Sequence, residues 1–219
     1  MEQQTEVRPD TSDMLAVHQV FRDAFGAAGS YVASTGAGSD DVRVALVGDF
    51  YRNVFAFLHV HHEGEDALVT PLLVERLDDP REVERVAAQH TEVLVPLADA
   101  EDALQAWSER PGAASSEALV TSLGGLDEVL RAHLDEEERV VLPLCDGNLS
   151  VEEWGALPGH AMGAFQGDRI WLILGLIREQ MTDEQRADML AHMPPPAVEM
   201  WTTFGSNAFD GFVAELRTA

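Results

Sequence analysis

One twelve-residue pattern occurs twice in this chain, and the second copy limits what the chain can fold into. HHEGEDALVTPL begins at His61 and HLDEEERVVLPL at His133, and both read His, three residues, Glu, five residues, Pro, Leu. His61, Glu65, Pro71 and Leu72 thus return 72 residues later as His133, Glu137, Pro143 and Leu144. The same offset carries His18 onto His90, so a lone His stands 43 residues before each His-x-x-x-Glu. The chain reads as an internal duplication of a helical hairpin, with one His on the first helix of each copy and the His/Glu pair on the second. Residues four apart share a helix face, so each pair presents an imidazole and a carboxylate to one point.

Apolar residues recur at helical spacing almost throughout, and no Asn-Gly or Asp-Gly turn separates alternating apolar runs, which makes the fold class all-α. Helix A is predicted from Thr11-Ser12-Asp13 to the Gly36-Ala37-Gly38-Ser39 break, and helix B from Asp40 to Leu77. Helix C follows the Asp78-Asp79-Pro80 cap and reaches Arg110, kinked at Pro96; helix D opens at Ser115 or Ser116 and ends near Asp146-Gly147-Asn148. Four long helices with short links predict an up-down-up-down four-helix bundle over residues 11–148. Residues 149–219 are expected to form a C-terminal helical extension packed on it. There, Ser150 with Glu153 and Thr182 with Gln185 have capping-box spacing, and a closing helix from Ala197 to Leu216 follows the Pro194-Pro195-Pro196 interruption.

Four imidazoles and two carboxylates converging inside such a bundle, from His18, His61, Glu65, His90, His133 and Glu137, are costly unless something partners them. A pair of metal ions removes that cost. Imidazole with carboxylate suits iron or manganese, and carboxylates on facing helices can bridge two ions; two zincs fit the donors but offer no redox chemistry. His59 and His62 flank His61 and are expected to point to other faces in structural or solvated roles. Asp66 lies four after His62 and sets a competing register, but the Pro71/Pro143 match selects His61 with Glu65.

Charge narrows the partners further. With 14 basic residues against 39 acidic ones the formal charge is -25, which repels nucleic-acid phosphate and anionic lipid and favours cations. The longest apolar run, Ile170 to Ile177, is far short of the roughly 20 residues of a spanning helix. Cys145 is the only cysteine, which excludes an internal disulfide, and no charged apolar leader opens the chain, so the expected location is the cytoplasm. Cys145 itself reads as a small core residue, and Tyr31 and Tyr51 as packing. No Ser/His/Asp order, Gly-rich phosphate loop or basic stripe supports a hydrolase, nucleotide or nucleic-acid function.

The two motif copies together with the single His residues on helices A and C resemble the hemerythrin-like (HHE cation-binding) family, in its bacterial form, over about residues 11 to 146. The resemblance implies a non-haem di-iron centre, oxo- or hydroxo-bridged, with Glu65 and Glu137 as bridges; manganese or a mixed pair is the alternative. Oxygen carriers of the family place a second His one turn after the helix C ligand and use His-x-x-x-x-Asp on helix D. Here the corresponding residues are Leu94 and Glu137. The departure implies about two imidazoles per ion and a centre open at both, suited to redox turnover of oxygen or hydrogen peroxide, catalase-like or ferroxidase-like. Two other readings compete. One is an oxygen, nitric oxide or iron sensor without turnover. The other is an oxygenase whose organic substrate is held by Trp154, Trp171, Trp201, Phe204 and Phe209 of the extension. The expected state is monomer or homodimer, with no nucleic-acid or membrane partner. His160, after Pro158-Gly159 at an expected helix start, reads as solvated or capping, and His192 as a helix C-terminal residue.

Overall fold

The structure, a computed structural model, describes residues 8–33 and 41–218. Among them every regular element is helical, as the apolar spacing predicts. The long elements are α1 (Ser12–Gly26), α3 (Asp41–Gly64), α5 (Arg81–Glu109) and α6 (Ala113–Asn148), with short α2 (Ala28–Ala33) and α4 (Thr70–Arg76) beside them. Helix α1 packs on α6 and α3, α3 on α5, and α5 on α6, which closes a ring of four. After it come α7 (Val151–Trp154), α8 (Ala156–Ala164), α9 (Ile170–Glu179), α10 (Asp183–His192), α11 (Pro195–Met200) and α12 (Ser206–Arg217). Helices α8, α9 and α12 lie against α3, and α9 also touches α1. Among the described residues no helix is long and apolar enough to cross a membrane.

Several expected boundaries shift for local reasons. The Gly36-Ala37-Gly38-Ser39 break and the Asp40 start lie outside the described residues, and helix A already divides at Ala27, between α1 and α2. Helix B is not uniform: Glu65–Val69 forms a π-turn between α3 and α4, in which the Thr70 N–H donates to the Glu65 carbonyl. Pro71 has no N–H, and its ring crowds the carbonyl four residues back, so a wider turn accommodates it. Pro143, its counterpart, stays within an unbroken α6, and α5 likewise runs through Pro96. Helix α6 starts at Ala113 rather than at a serine; Ser116 instead accepts the Trp107 indole N–H at 3.1 Å. The closing helix carries a second π-turn, Trp201–Gly205. Both capping boxes form as the spacing predicts.

The apolar interior is divided in two. The larger cluster includes Val20 and Phe21 of α1, Leu58 and Val60 of α3, Val93 and Leu97 of α5, and Leu130 and Leu134 of α6, and continues into Leu172 of α9 and Phe212 of α12. The smaller one holds Met14, Val69, Leu73, Val83, Val86, Val141, Cys145 and Trp154. Each fully buried Leu or Phe contributes about 1.5–3 kcal/mol relative to exposure. On each of the four long helical paths, the predicted site residues fall between members of one cluster and members of the other. The two clusters therefore enclose a polar layer.

Helix α9 approaches α12 through Gly175, where an added Cβ would lie 2.1–2.5 Å from atoms of the Phe209 ring. Gly175→Ala is expected to cost about 1–3 kcal/mol through overpacking. At roughly 2–4 °C per kcal/mol for a chain of this size, thermal unfolding should register it. An unchanged midpoint would mean that this contact does not exist in solution.

Candidate metal centre

Among the described residues the buried polar side chains are few, and all but one belong to one place. His18, His61, His62, Glu65, His90, His133 and Glu137 are all buried, and Asn53 alone lies elsewhere. Helix α1 supplies His18, α3 supplies His61 and His62, the π-turn begins with Glu65, α5 supplies His90, and α6 supplies His133 and Glu137. All six residues expected from the repeat converge. His62 joins them, which corrects the expectation that it points to another face. Its ring stacks on His90 with centroids 4.3 Å apart and meets His133 edge-on at 5.2 Å.

The carboxylates stand between two groups of imidazoles. Glu65 directs Oε1 toward His61 Nε2 and Oε2 toward His90 Nε2, each at 3.5 Å. Glu137 Oε2 lies 3.6 Å from both His18 Nε2 and His133 Nε2. The His18 and His61 rings meet edge-on at 5.3 Å, and the His90 and His133 rings at 4.8 Å. Candidate ligand atoms of His18, His61, Glu65 and Glu137 lie within 4.8 Å of one another, and those of His62, His90 and His133 do the same.

The outer faces of three rings set their tautomers. His18 Nδ1 lies 2.8 Å from Glu138 Oε1, His90 Nδ1 lies 2.8 Å from Asp66 Oδ1, and His133 Nδ1 lies 3.1 Å from Gln89 Oε1. Gln89 donates its amide to Glu136, which leaves its oxygen for His133. All three partners are acceptors, so each neutral ring carries its proton on Nδ1 and turns the Nε2 lone pair inward. Such outer hydrogen bonds orient imidazoles and raise their basicity toward a metal. Arg22 holds Glu138 from the other side at 2.7 Å, and Arg85 grips Glu136 with two 2.7 Å bonds. Partial burial pushes Glu138 up, but hydrogen bonds from His18 and Arg22 win and hold it at about 2.

Asp66 and Glu138 were not among the residues read from the sequence as site components. They stand 72 residues apart, each following its copy's glutamate, so the repeat offset applied one position further would have found them. His62 has no such signal, because the offset carries it onto Leu134. His59 faces outward to Glu101 at 3.0 Å, and His192, largely exposed, lies within 2.9 Å of the Asp188 carbonyl. His160 differs from expectation. Helix α8 starts at Ala156, so His160 is inside it, packed over Gly64 where an added Cβ would lie 3.3 Å from its ring.

The unpartnered atoms test whether a metal fits. Nε2 of His18, His61, His62 and His133, both Glu65 oxygens and Glu137 Oε2 are buried without a hydrogen-bond partner, and they face one another. Leaving each such group unsatisfied costs about 1–3 kcal/mol. Burial first, and then the Glu137 carboxylate, drives Glu65 well above the usual carboxylate range. Burial followed by neighbouring imidazoles pushes His61 and His62 well below theirs. Cys145, pushed up to about 12 by burial and by Glu137 and Glu65, remains a thiol and offers no thiolate ligand. Five imidazoles and two carboxylates, with no thiolate, form a donor set for cations such as iron or manganese.

Residues 10–145 match the family model for the Hemerythrin HHE cation binding domain. The chain belongs to this family. No curated protein and no solved structure matches it. As an HHE cation-binding protein it carries a His/Glu cluster able to hold metal in its helical interior.

The metal-free form has a predictable acid response. His133 is held at about 3 by burial, with His90 and His18 adding, against 6.5 for a free imidazole. Between those values the unfolded chain binds a proton that the folded site refuses, so stability falls with falling pH by up to ~1.4 kcal/mol per unit. His61 and His62 shift the same way. Glu65 opposes them, since its raised pKa stabilises the fold increasingly as pH drops toward the ordinary carboxylate value. Denaturant midpoints of chelator-treated protein at pH 7 and pH 5, compared with His133→Asn to cancel the effect of the acidic surface, should show a steeper fall in the parent chain. Equal slopes would mean that His133 is protonated in the folded state.

Proposed function

We propose that this HHE protein is a non-haem di-iron protein that reacts with oxygen or hydrogen peroxide at the His/Glu layer. The observation that carries this reading is that each of Glu65 and Glu137 stands between an imidazole of the His18/His61 group and one of the His90/His133 group. That arrangement suits carboxylates bridging two ions within an up-down-up-down bundle of residues 11–148, with residues 149–219 as a covering extension in a cytoplasmic protein. His18 and His61 would hold one ion. His90 and His133 would hold the other, with His62 as a third imidazole. The expectation of two imidazoles at each ion therefore changes to two and three, which leaves the His18/His61 side the more open one. When bound, an iron pair supplies redox equivalents and positions for a small ligand.

The protein's own contribution is orientation and exclusion of water. Glu138, Asp66 and Gln89 keep three Nε2 lone pairs aimed inward, and the two apolar clusters cover the layer on both sides. The oxygenase alternative loses support because Trp171, Trp201 and Phe209 are buried in the larger apolar cluster, Trp154 in the smaller one, and Phe204 is exposed. The test is the metal content of the purified protein, with its visible spectrum before and after hydrogen peroxide. About two irons per chain, with near-ultraviolet absorption that responds to peroxide and consumes it, is the expected result. Stable gas binding without turnover would favour the sensor, and zinc with a silent spectrum would overturn redox function.

A further inference from the structure

One imidazole of the extension shares the signature of the buried layer without belonging to it. His160 Nε2 is enclosed and has no hydrogen-bond partner, as is also true of Nε2 in His18, His61, His62 and His133. Along α8, Leu157 packs on the smaller apolar cluster, and Ala161 and Ala164 pack on the larger one. His160 therefore stands where the two clusters part, as the site residues do on the four long helical paths. A fifth helix thus brings an imidazole to the level of the polar layer.

Gly64 makes this approach possible. A Cβ there would lie 3.3 Å from His160 Cδ2, 3.4 Å from Leu157 Cδ2 and 4.0 Å from His160 Nε2. Glycine is disfavoured within a continuous helical path, and the repeat offset places Glu136 at the corresponding position of the second copy. The first copy gives up a side chain where the second keeps one, and the His160 ring takes the space. Gly64 follows His61 by three residues, so the two share a face of α3, whereas His62 points across to His90 of α5. His160 thus lies toward the His18/His61 pair, the side with the fewer imidazoles.

We propose that His160 is a ligand-binding residue, donating a hydrogen bond from Nε2 to a small anion or peroxide held on the His18/His61 side. The assignment rests on the dinuclear reading above. The His160 nitrogens are not among the donor atoms that converge within 4.8 Å, so the ring stands outside the set of direct ligands. That is the place for a group that touches a small molecule on the ion, since a metal-ligand distance of about 2.0–2.2 Å is followed by a hydrogen bond of about 2.7–3.2 Å. Outer acceptors hold the rings of His18, His90 and His133 with the Nε2 lone pair inward. Among the described residues no such acceptor fixes His160, so its proton is free to reside on Nε2. Enclosure strengthens a hydrogen bond made there.

The experiment titrates azide into iron-loaded, full-length protein and follows visible absorbance, with metal analysis of the same samples. His160→Phe, which keeps a ring and loses the nitrogens, is expected to bind azide about tenfold or more weakly at equal iron content. His160→Leu gives the same reading should phenylalanine not be accommodated. His160→Gln retains an N–H donor and should recover most of the affinity, which a packing role would not require. The exposed change His192→Gln should leave azide binding unaltered. Parent-like affinity in His160→Phe, or a loss that glutamine does not recover, overturns the hydrogen bond. Lower iron content in His160→Phe overturns it in favour of direct ligation. Failure of the dinuclear reading has a different signature, namely an unaltered chain that takes up no iron pair, and the assignment of His160 falls with it.

Discussion

Glu65→Gln is expected to move stability and metal binding in opposite directions. In the metal-free protein this carboxylate is buried beside Glu137, and both its oxygens lack hydrogen-bond partners. An amide of the same shape removes a group that burial penalises and that the neighbouring carboxylate repels. Replacing buried charge by a neutral isostere commonly stabilises by about 1–4 kcal/mol, which for a chain of this size is several degrees in thermal midpoint. The same change deletes the only carboxylate whose two oxygens face His61 and His90 separately. Metal content should therefore fall from about two ions to below one, on the expectation that losing a direct ligand costs at least the roughly 10–100-fold of an outer-sphere change. Differential scanning calorimetry of chelator-treated protein, paired with metal analysis of loaded protein, checks both halves. A lower metal-free midpoint would show that Glu65 is not held as an isolated buried carboxylate, and unchanged metal content would remove it from the centre.

His62→Leu carries the second large effect, and it separates the two ions. The ring of His62 lies on His90 and against His133, and although it also stands 5.3 Å from the His61 ring, its candidate ligand atom groups with those of His90 and His133. Leucine occupies the corresponding place in the second copy, as Leu134, where it is fully buried, so the substitution gives a side chain that the fold already tolerates there. One ion is expected to be lost or weakened by about 10–100-fold, while the ion beside His18 and His61 is retained. Stoichiometric titration with Co²⁺, followed by its visible bands, reads the two steps separately. Retention of both ions with parent-like affinity would return His62 to a packing role. Equal loss of both would show that the two imidazole groups do not act as separate halves.

How much of this was legible in the sequence follows from what repeats. His18, His61, Glu65, His90, His133 and Glu137 are related by one offset, and an offset survives without any knowledge of packing. The helical fold class and both capping boxes were equally legible, because apolar periodicity and a Ser or Thr followed three residues later by Glu or Gln act within one helix. His160 was misplaced for a related reason. Pro158-Gly159 suggested a helix start there, but a proline is tolerated in a helix's first turn, and α8 begins two residues earlier.

What the sequence by itself determined is thus the set of side chains that obey local or repeated spacing: the helices, their caps and the six ligand candidates. Tertiary structure alone decided which outward and inward faces meet. On an isolated helix His62 is turned about 100° away from His61, which reads as a different face. In the assembled bundle the His61 direction meets His18 of α1, while the His62 direction meets His90 of α5, so two adjacent residues enter one layer from two sides. Likewise Asp66 follows Glu65 in the π-turn and stays half-exposed in the folded protein, yet it is the acceptor for His90 because α5 passes beside that turn. A helix carries the direction of each side chain relative to its own axis, but only the neighbouring helices determine whether that direction ends in water, in an apolar contact or at another imidazole.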